Sequence, residues 1–145
     1  MPFVFSKTSR DRLQGAMPEL QRLAALALTL IDCTILETNR SIEQQRLNVA
    51  KGVSKTMNSK HLTWPAQAMD IAPWYNAEPH IRWPDLTKLD SNAKLSVRWS
   101  YLIGAIAGAA AALGIAVRVG FDWSGDGDPW NEFFPDWPHV ELKGK

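Results

Sequence analysis

Ala68-Met69-Asp70-Ile71-Ala72 is an apolar, strand-forming run with one carboxylate in its middle, and Pro73 stops it. A carboxylate inside such a strand is costly to bury unless it is paired or bound to a cation. Its partner must therefore come from elsewhere in the chain. His61, in Ser59-Lys60-His61, stands nine residues earlier, and His139 closes the sequence Asp136-Trp137-Pro138-His139 ahead of Val140-Glu141-Leu142. Two imidazoles and one carboxylate suit Zn²⁺ and leave a fourth tetrahedral position for water. A further carboxylate near that water, not bound to the metal, would take its proton during attack on a peptide carbonyl. The residue types alone leave a second reading open: a hydrogen-bonded strand aspartate and two unrelated surface histidines.

The rest of the chain supplies a frame for such a site. Its 145 residues make one domain, 1–145, long enough to bury a core without staples. Sixteen basic against fifteen acidic side chains leave a charge of +1, which argues against a general grip on nucleic acid. One cysteine, Cys33, excludes an internal disulfide and any Cys-rich zinc site, and its apolar neighbours suit a small buried hydrophobe. Met1 to Arg10 has no cationic start leading into an apolar stretch, so no secretory signal is expected. Tyr101 to Val117 is the one segment that could be mistaken for a membrane span. Ala and Gly dominate it, Arg98 and Arg118 bracket it, and Gly114 offers a helix stop. A buried helix running into a strand is expected there, without membrane insertion.

Periodicity places the elements. Pro18 opens a helix to about Leu30 whose apolar face is Leu20, Leu23, Ala24, Ala27 and Leu28. Cys33 to Leu36 is a short strand. Ser41-Ile42-Glu43-Gln44 has the form of a capping box for a helix that Gly52 ends. Lys51 to Lys60 reads as a loop, Trp74 to Asp90 as a long surface connection, and Ser91 onward as a helix carrying Leu95, Trp99, Leu102, Ile106 and Leu113. Ile115 to Val119 and His139 to Leu142 are expected strands, joined by an irregular stretch from Phe121 to Asp136. This mixture of helices and short strands is α+β.

The elements Ser59-Lys60-His61, Ala68-Met69-Asp70 and Asp136-Trp137-Pro138-His139-Val140-Glu141 follow one another as S-x-H, A-x-D and D-x-x-H-V-E. Phe5-Ser6-Lys7-Thr8-Ser9, Leu13, Pro18-Glu19-Leu20, Arg40 with Gln44, Gly52 and Ser54 add to the pattern. Together they resemble the zinc peptidases of the D-alanyl-D-alanine carboxypeptidase family, most closely the bacteriophage endolysins that are L-alanyl-D-glutamate peptidases. The resemblance runs in order along nearly the whole chain. It implies a compact α+β domain with helices packed on a small antiparallel sheet, and no separate wall-binding domain. It implies that His61, Asp70 and His139 hold zinc, that Asp136 is the catalytic acid/base, that Arg40 engages a carboxylate of the peptidoglycan stem peptide, and that Ser59 lies beside the substrate cleft. The activity so implied is zinc-dependent cleavage of the stem peptide for host lysis, by a monomer held in the host cytoplasm until a separate pore opens the way to the wall. A D-alanyl-D-alanine carboxypeptidase with the same site is the rival enzyme. A non-catalytic, zinc-stabilised wall-binding module is the rival from another class, and an intact Asp136 counts against it.

The chain departs from the pattern in one place. Many relatives have H-x-x-G-x-A-x-D, whereas His61 to Asp70 spans two residues more and carries Trp64-Pro65 where a glycine turn would be. That alters the cleft wall beside His61 more than metal binding. Glu141, two residues after His139 on a strand, shares its face and rivals Asp136 as base, but the pattern leaves it to orient His139. His80 is expected at the surface. Outside the motif, Asp122, Ser124, Asp126 and Asp128 take positions 1, 3, 5 and 7 of a loop with Gly127 at 6, like the start of an EF-hand calcium loop. Its acid, Glu132, comes one residue before the twelfth position, where Phe133 stands. Either calcium orders this loop or it is a solvated Asp/Gly turn.

Overall fold

The structure is a computed structural model and describes residues 2–84, 89–132 and 135–144. Helix α1, Lys7–Leu13, was not anticipated; Ser6 caps it by accepting the Ser9 N–H at 3.1 Å. Helix α2, Pro18–Leu28, starts on its proline and buries the expected Leu20, Leu23, Ala24, Ala27 and Leu28. Strand β1 is Cys33–Glu37 and helix α3 is Ile42–Ala50. Ser41 caps α3 through the Gln44 N–H, but the Gln44 side chain turns to Asn48, so only half of the capping box forms. Gly52 follows in the left-handed conformation at φ 75°, which a side chain would resist. A single 3₁₀ turn, Lys60–Leu62, precedes strand β2, Ala68–Pro73.

The connection after β2 is irregular from 74 to 84, where Tyr75 lies between the guanidinium groups of Arg82 and Arg98, each 4.2 Å from its ring. The remainder of that expected connection, 85–88, and Phe133 of the acidic loop lie outside the described residues. Helix α4 runs Leu89–Leu113, then β3 is Val117–Val119 and β4 is His139–Leu142. The strand expected from Ile115 begins two residues later because the Ile115 N–H still bonds back to the Ala110 carbonyl and finishes the helix.

All strand pairings are antiparallel, in the order β1-β2-β4-β3. Alternation then sorts side chains between two faces. Met69, Ile71, Val140 and Leu142 enter the main core with Ile35 and Cys33, against Leu20, Leu23 and Ala27 of α2 and Leu102 and Ile106 of α4. Asp70, His139 and Glu141 take the alternate positions. Cys33 is buried, and burial with the nearby Asp32 charge pushes its thiol up to about 12.

Helix α4 is buried on one face only. Trp99, Leu102, Ile103, Ile106, Ala109 and Ala110 face inward, while Val97, Tyr101, Gly104, Gly108 and Ala112 are exposed. Lys94–Leu113 is long and apolar enough to cross a membrane by length and composition. Here it packs on α2 and on the sheet through its buried face, and its exposed face mixes small residues with Val97 and Tyr101. Trp99 anchors a second cluster with Ala72 and Ile103, touching Trp137 edge-on.

Leu23 is fully buried in the main core, on the helix that packs against α4. Leu23→Ala should lower unfolding stability by about 2–5 kcal/mol in urea titration, the cost of a core cavity.

Candidate metal centre

The register of β2 against β4 sets Asp70 directly opposite His139, with Met69 opposite Val140 and Ala68 opposite Glu141. Directly opposed residues share a face, so two members of the site follow from one strand pair. His61 arrives on the 3₁₀ turn. Ser59 holds that turn by accepting the His61 N–H at 3.2 Å, and the Arg40 N–H bonds to the His61 carbonyl at 2.8 Å. His61 Nε2 then lies 3.2 Å from Asp70 Oδ1 and 3.2 Å from His139 Nδ1, and His139 Nδ1 lies 3.4 Å from Asp70 Oδ1. Among the described residues this is the one group of three whose ligand atoms all fall within 4.8 Å of one another.

The far side of each imidazole decides what the near side offers. His61 Nδ1 donates to the Thr38 carbonyl at 2.6 Å, and His139 Nε2 donates to Glu141 Oε1 at 3.1 Å. Each ring therefore spends its N–H outward and turns a lone pair inward. Two nitrogen lone pairs and a carboxylate oxygen converge, three acceptors with a cation as their natural partner. The donor set fits a tetrahedral metal that keeps one position open.

Positive charge between these groups, a proton as much as a metal ion, is favoured. Burial would raise Asp70, yet its hydrogen-bond contacts with His139 and His61 hold it well below the carboxylate range. Burial opposes charge on His139, yet its bonds to Asp70 and Glu141 push it up to about 9. Burial would also raise Glu141, but His139 and the cations Arg118 and Lys60 bring it down to about 2. Arg118 lies 3.2 Å and Lys60 3.5 Å from Glu141 Oε2. Glu141 thus sits behind His139, as an orienting group, and not at the lone-pair side of the cluster.

Asp136 belongs to the turn that enters β4. Its N–H bonds to the Gly120 carbonyl at 2.8 Å, its carbonyl accepts the His139 N–H at 3.1 Å, and the Gly120 N–H bonds to the His139 carbonyl at 2.8 Å. A β-carbon on Gly120 would stand 2.9 Å from Asp136 Cβ and 3.0 Å from His139 Cβ, and closer still to the Asp136 carbonyl oxygen. Only glycine leaves room for this turn. Burial raises the Asp136 carboxyl above its ordinary value, and the Asp70 charge adds to it, while His139, His61 and Arg40 pull the other way.

His61, Asp70, Asp136, His139, Arg40 and Ser59 all line one cleft of about 480 Å³. Arg40 donates to Glu37 through Nε at 2.7 Å and again through a second nitrogen, donates to Gln45 Oε1 at 2.6 Å, and lies 3.9 Å from Asp70 Oδ2. Gln45, fully buried, is the one buried residue of α3. Trp123 lies over His139 with ring centres 5.0 Å apart, and Arg118 lies over Trp123 at 5.3 Å. His80 stacks on Trp74 at 4.4 Å, among residues that do not line this cleft.

Sequence reading missed Thr38, Glu37, Gln45, Lys60, Arg118, Trp123 and Gly120. Their roles arise where distant segments meet, and none has a local motif. In the acidic loop, Asp122 accepts the Gly125 and Gly127 N–H groups and the Ser124 hydroxyl, Asp126 accepts the Asp128 N–H and the Asn131 amide, and Glu132 accepts the Ser124 N–H. These carboxylates accept from the loop's own N–H, hydroxyl and amide groups.

A family model described as phage L-alanyl-D-glutamate peptidase matches residues 1–143. The chain belongs to that family. Over 98% of its length it is 36% identical to the L-alanyl-D-glutamate peptidase of Escherichia phage T5, of which 99% is covered. Among solved structures, it is similar to the Serratia marcescens L-Ala D-Glu endopeptidase ChiX, with a TM-score of 0.71 and 27% identity over 96% of this chain and 90% of that one. Membership accounts for the α+β architecture with four strands in a single antiparallel sheet.

Gly120→Ala should cost about 1–3 kcal/mol of stability through overpacking and should lower the metal bound per chain, read by denaturation and elemental analysis. Gly108, with nothing within 4 Å of an added β-carbon, is the control, and Gly108→Ala should keep full metal content.

Proposed function

We propose that this protein is a zinc-dependent peptidoglycan endopeptidase that hydrolyses the L-alanyl-D-glutamate bond of the stem peptide, acting on the host wall after release from the cytoplasm. The observation that carries the reading is the convergence of one possible ligand atom each from His61, Asp70 and His139, in a chain of this family. His61, Asp70 and His139 would hold the metal. When bound, zinc supplies Lewis acidity to water and to the scissile carbonyl. The Thr38 carbonyl and Glu141 keep both rings in the ligating tautomer. Asp136, at the cleft and not among the ligands, takes the proton of the attacking water and returns it to the leaving amine. Ser59 positions His61 by capping its turn. Arg40 offers its guanidinium to a substrate carboxylate at the cleft, while Glu37 and Gln45 hold it in place.

Exhaustive chelation should abolish release of free amino groups from peptidoglycan, and zinc should restore it. Asp136→Asn should retain zinc and lose about 10²- to 10⁴-fold in rate. Undiminished activity of a demonstrably metal-free protein would refute the zinc reading. Mass spectra of the products separate the rival enzyme: a new amino-terminal glutamate marks the endopeptidase, released D-alanine the carboxypeptidase.

Arg40→Ala should raise KM on stem peptides with a free carboxylate and leave zinc content unchanged. An equal loss on the amidated peptide would assign Arg40 to positioning Asp70 instead.

A further inference from the structure

Trp64 stands out because it is 74% exposed on a loop that is otherwise tied down. Before it, the Thr63 carbonyl accepts the Asn39 amide at 2.9 Å. After it, the Ala66 N–H bonds to the Gly15 carbonyl at 2.8 Å and the Ala66 carbonyl accepts the Met17 N–H at 2.9 Å. Thr63 also spans the loop, its hydroxyl meeting the Pro65 carbonyl and the Gln67 N–H, both at 3.0 Å. The indole edge rests against Gly15, where an added β-carbon would lie 3.3 Å from Cζ3. An aromatic face is thus presented to water on a fixed backbone. Preorganisation of this kind lowers the cost of binding.

The indole borders a second cavity, of about 640 Å³, shared with Asp11, Gln14, Glu37, Thr38 and Asn39. That cavity adjoins the metal cleft through two residues. Glu37 lines it and holds Arg40 of the cleft, and Thr38 lines it while its carbonyl orients His61. An aromatic platform ringed by carboxylate and amide side chains suits a ligand with an apolar ring face and hydroxyl or amide edges. Each carboxylate and amide offers more than one hydrogen-bonding position, so the bonds to Lys7, Arg40 and Thr63 leave positions for hydroxyl and amide edges that a hydrophobic peptide would not use.

We infer that this cavity is a subsite for an amino-sugar ring of the glycan strand, stacked on Trp64, and that it adds glycan-linked stem peptide to the enzyme's specificity. The inference rests on the endopeptidase reading above. In peptidoglycan the L-alanine that precedes the scissile bond is joined directly to a sugar of the glycan strand. A sugar therefore lies one residue from the reacting carbonyl, and a cavity one wall away from the metal cleft is where it would arrive.

The test compares two substrates with zinc-loaded enzyme: a soluble disaccharide–tetrapeptide and the same tetrapeptide without sugar. In Trp64→Ala the ratio of kcat/KM for the glycan-linked over the sugar-free substrate should fall about tenfold, equivalent to about 1.4 kcal/mol, and the change should lie in KM. Trp64→Tyr, which keeps a stacking face, should restore most of the ratio. A ratio unchanged in an active Trp64→Ala enzyme, or lost equally in Trp64→Tyr, overturns the inference. Titrating wild-type protein with the peptide-free disaccharide gives a readout independent of variant folding: the Trp64 indole N–H resonance should shift, and a resonance that stays still overturns it as well. Wild-type enzyme that cleaves neither substrate brings down the endopeptidase reading along with this one, whereas an unchanged ratio brings down this one alone.

Discussion

The molecule is organised by an electrostatic debt between two neighbouring strands. Asp70 and His139 face each other across the β2–β4 pair, His61 closes on both, and all three turn acceptors toward one point. Such a group is unfavourable to bury unless positive charge sits within it. The surrounding structure keeps the acceptors from turning away. The Thr38 carbonyl and Glu141 fix the rings from behind, Glu141 is itself steadied by Lys60 and Arg118, and Arg40 stands beside Asp70 with Glu37 and Gln45 behind it. Disturbing an outer member of this chain of contacts therefore alters His61, Asp70 and His139 without touching them.

The sheet can carry this arrangement because its two faces do different work. Alternation along β2 and β4 gives Met69, Ile71, Val140 and Leu142 to the hydrophobic core and leaves Asp70, His139 and Glu141 for the site. A one-residue slip of either strand would exchange the two sets, placing carboxylates in the core and aliphatic side chains at the cleft. Core packing by α2 and α4 thus fixes the same register that brings Asp70 and His139 together. Stability and the site share one constraint.

Much of this was legible in the chain because the relevant signals are local. The Asp70 carboxylate in an apolar run, the β-rich stretch after Pro138 and the helical spacing from Leu20 to Leu28 each carry their own physical reason. Helix α1 was hidden because seven residues with Ser9 and Leu13 as their buried positions give little periodicity. In α3 the reading stopped at Gln44, the capping position, while the residue that matters for the site is the next one, Gln45, a polar side chain wholly buried against Arg40. Glu37 reaches Arg40 from the end of β1, where pairing with β2 is irregular between Ile35 and Glu37. A bulge and a close approach such as Gly120 against Asp136 belong to pairs of segments, and a single segment does not announce them.

Strand order has a consequence for how the site comes into being. β4 is the last of the four strands along the chain, yet in the sheet it lies between β2 and β3. Residues 139–142 are therefore what joins β2 and β3 into one sheet, and the same four residues bring His139 beside Asp70 and His61. Removing β4 would divide the sheet and the three-acceptor group together, so neither can be trimmed from the fold without the other.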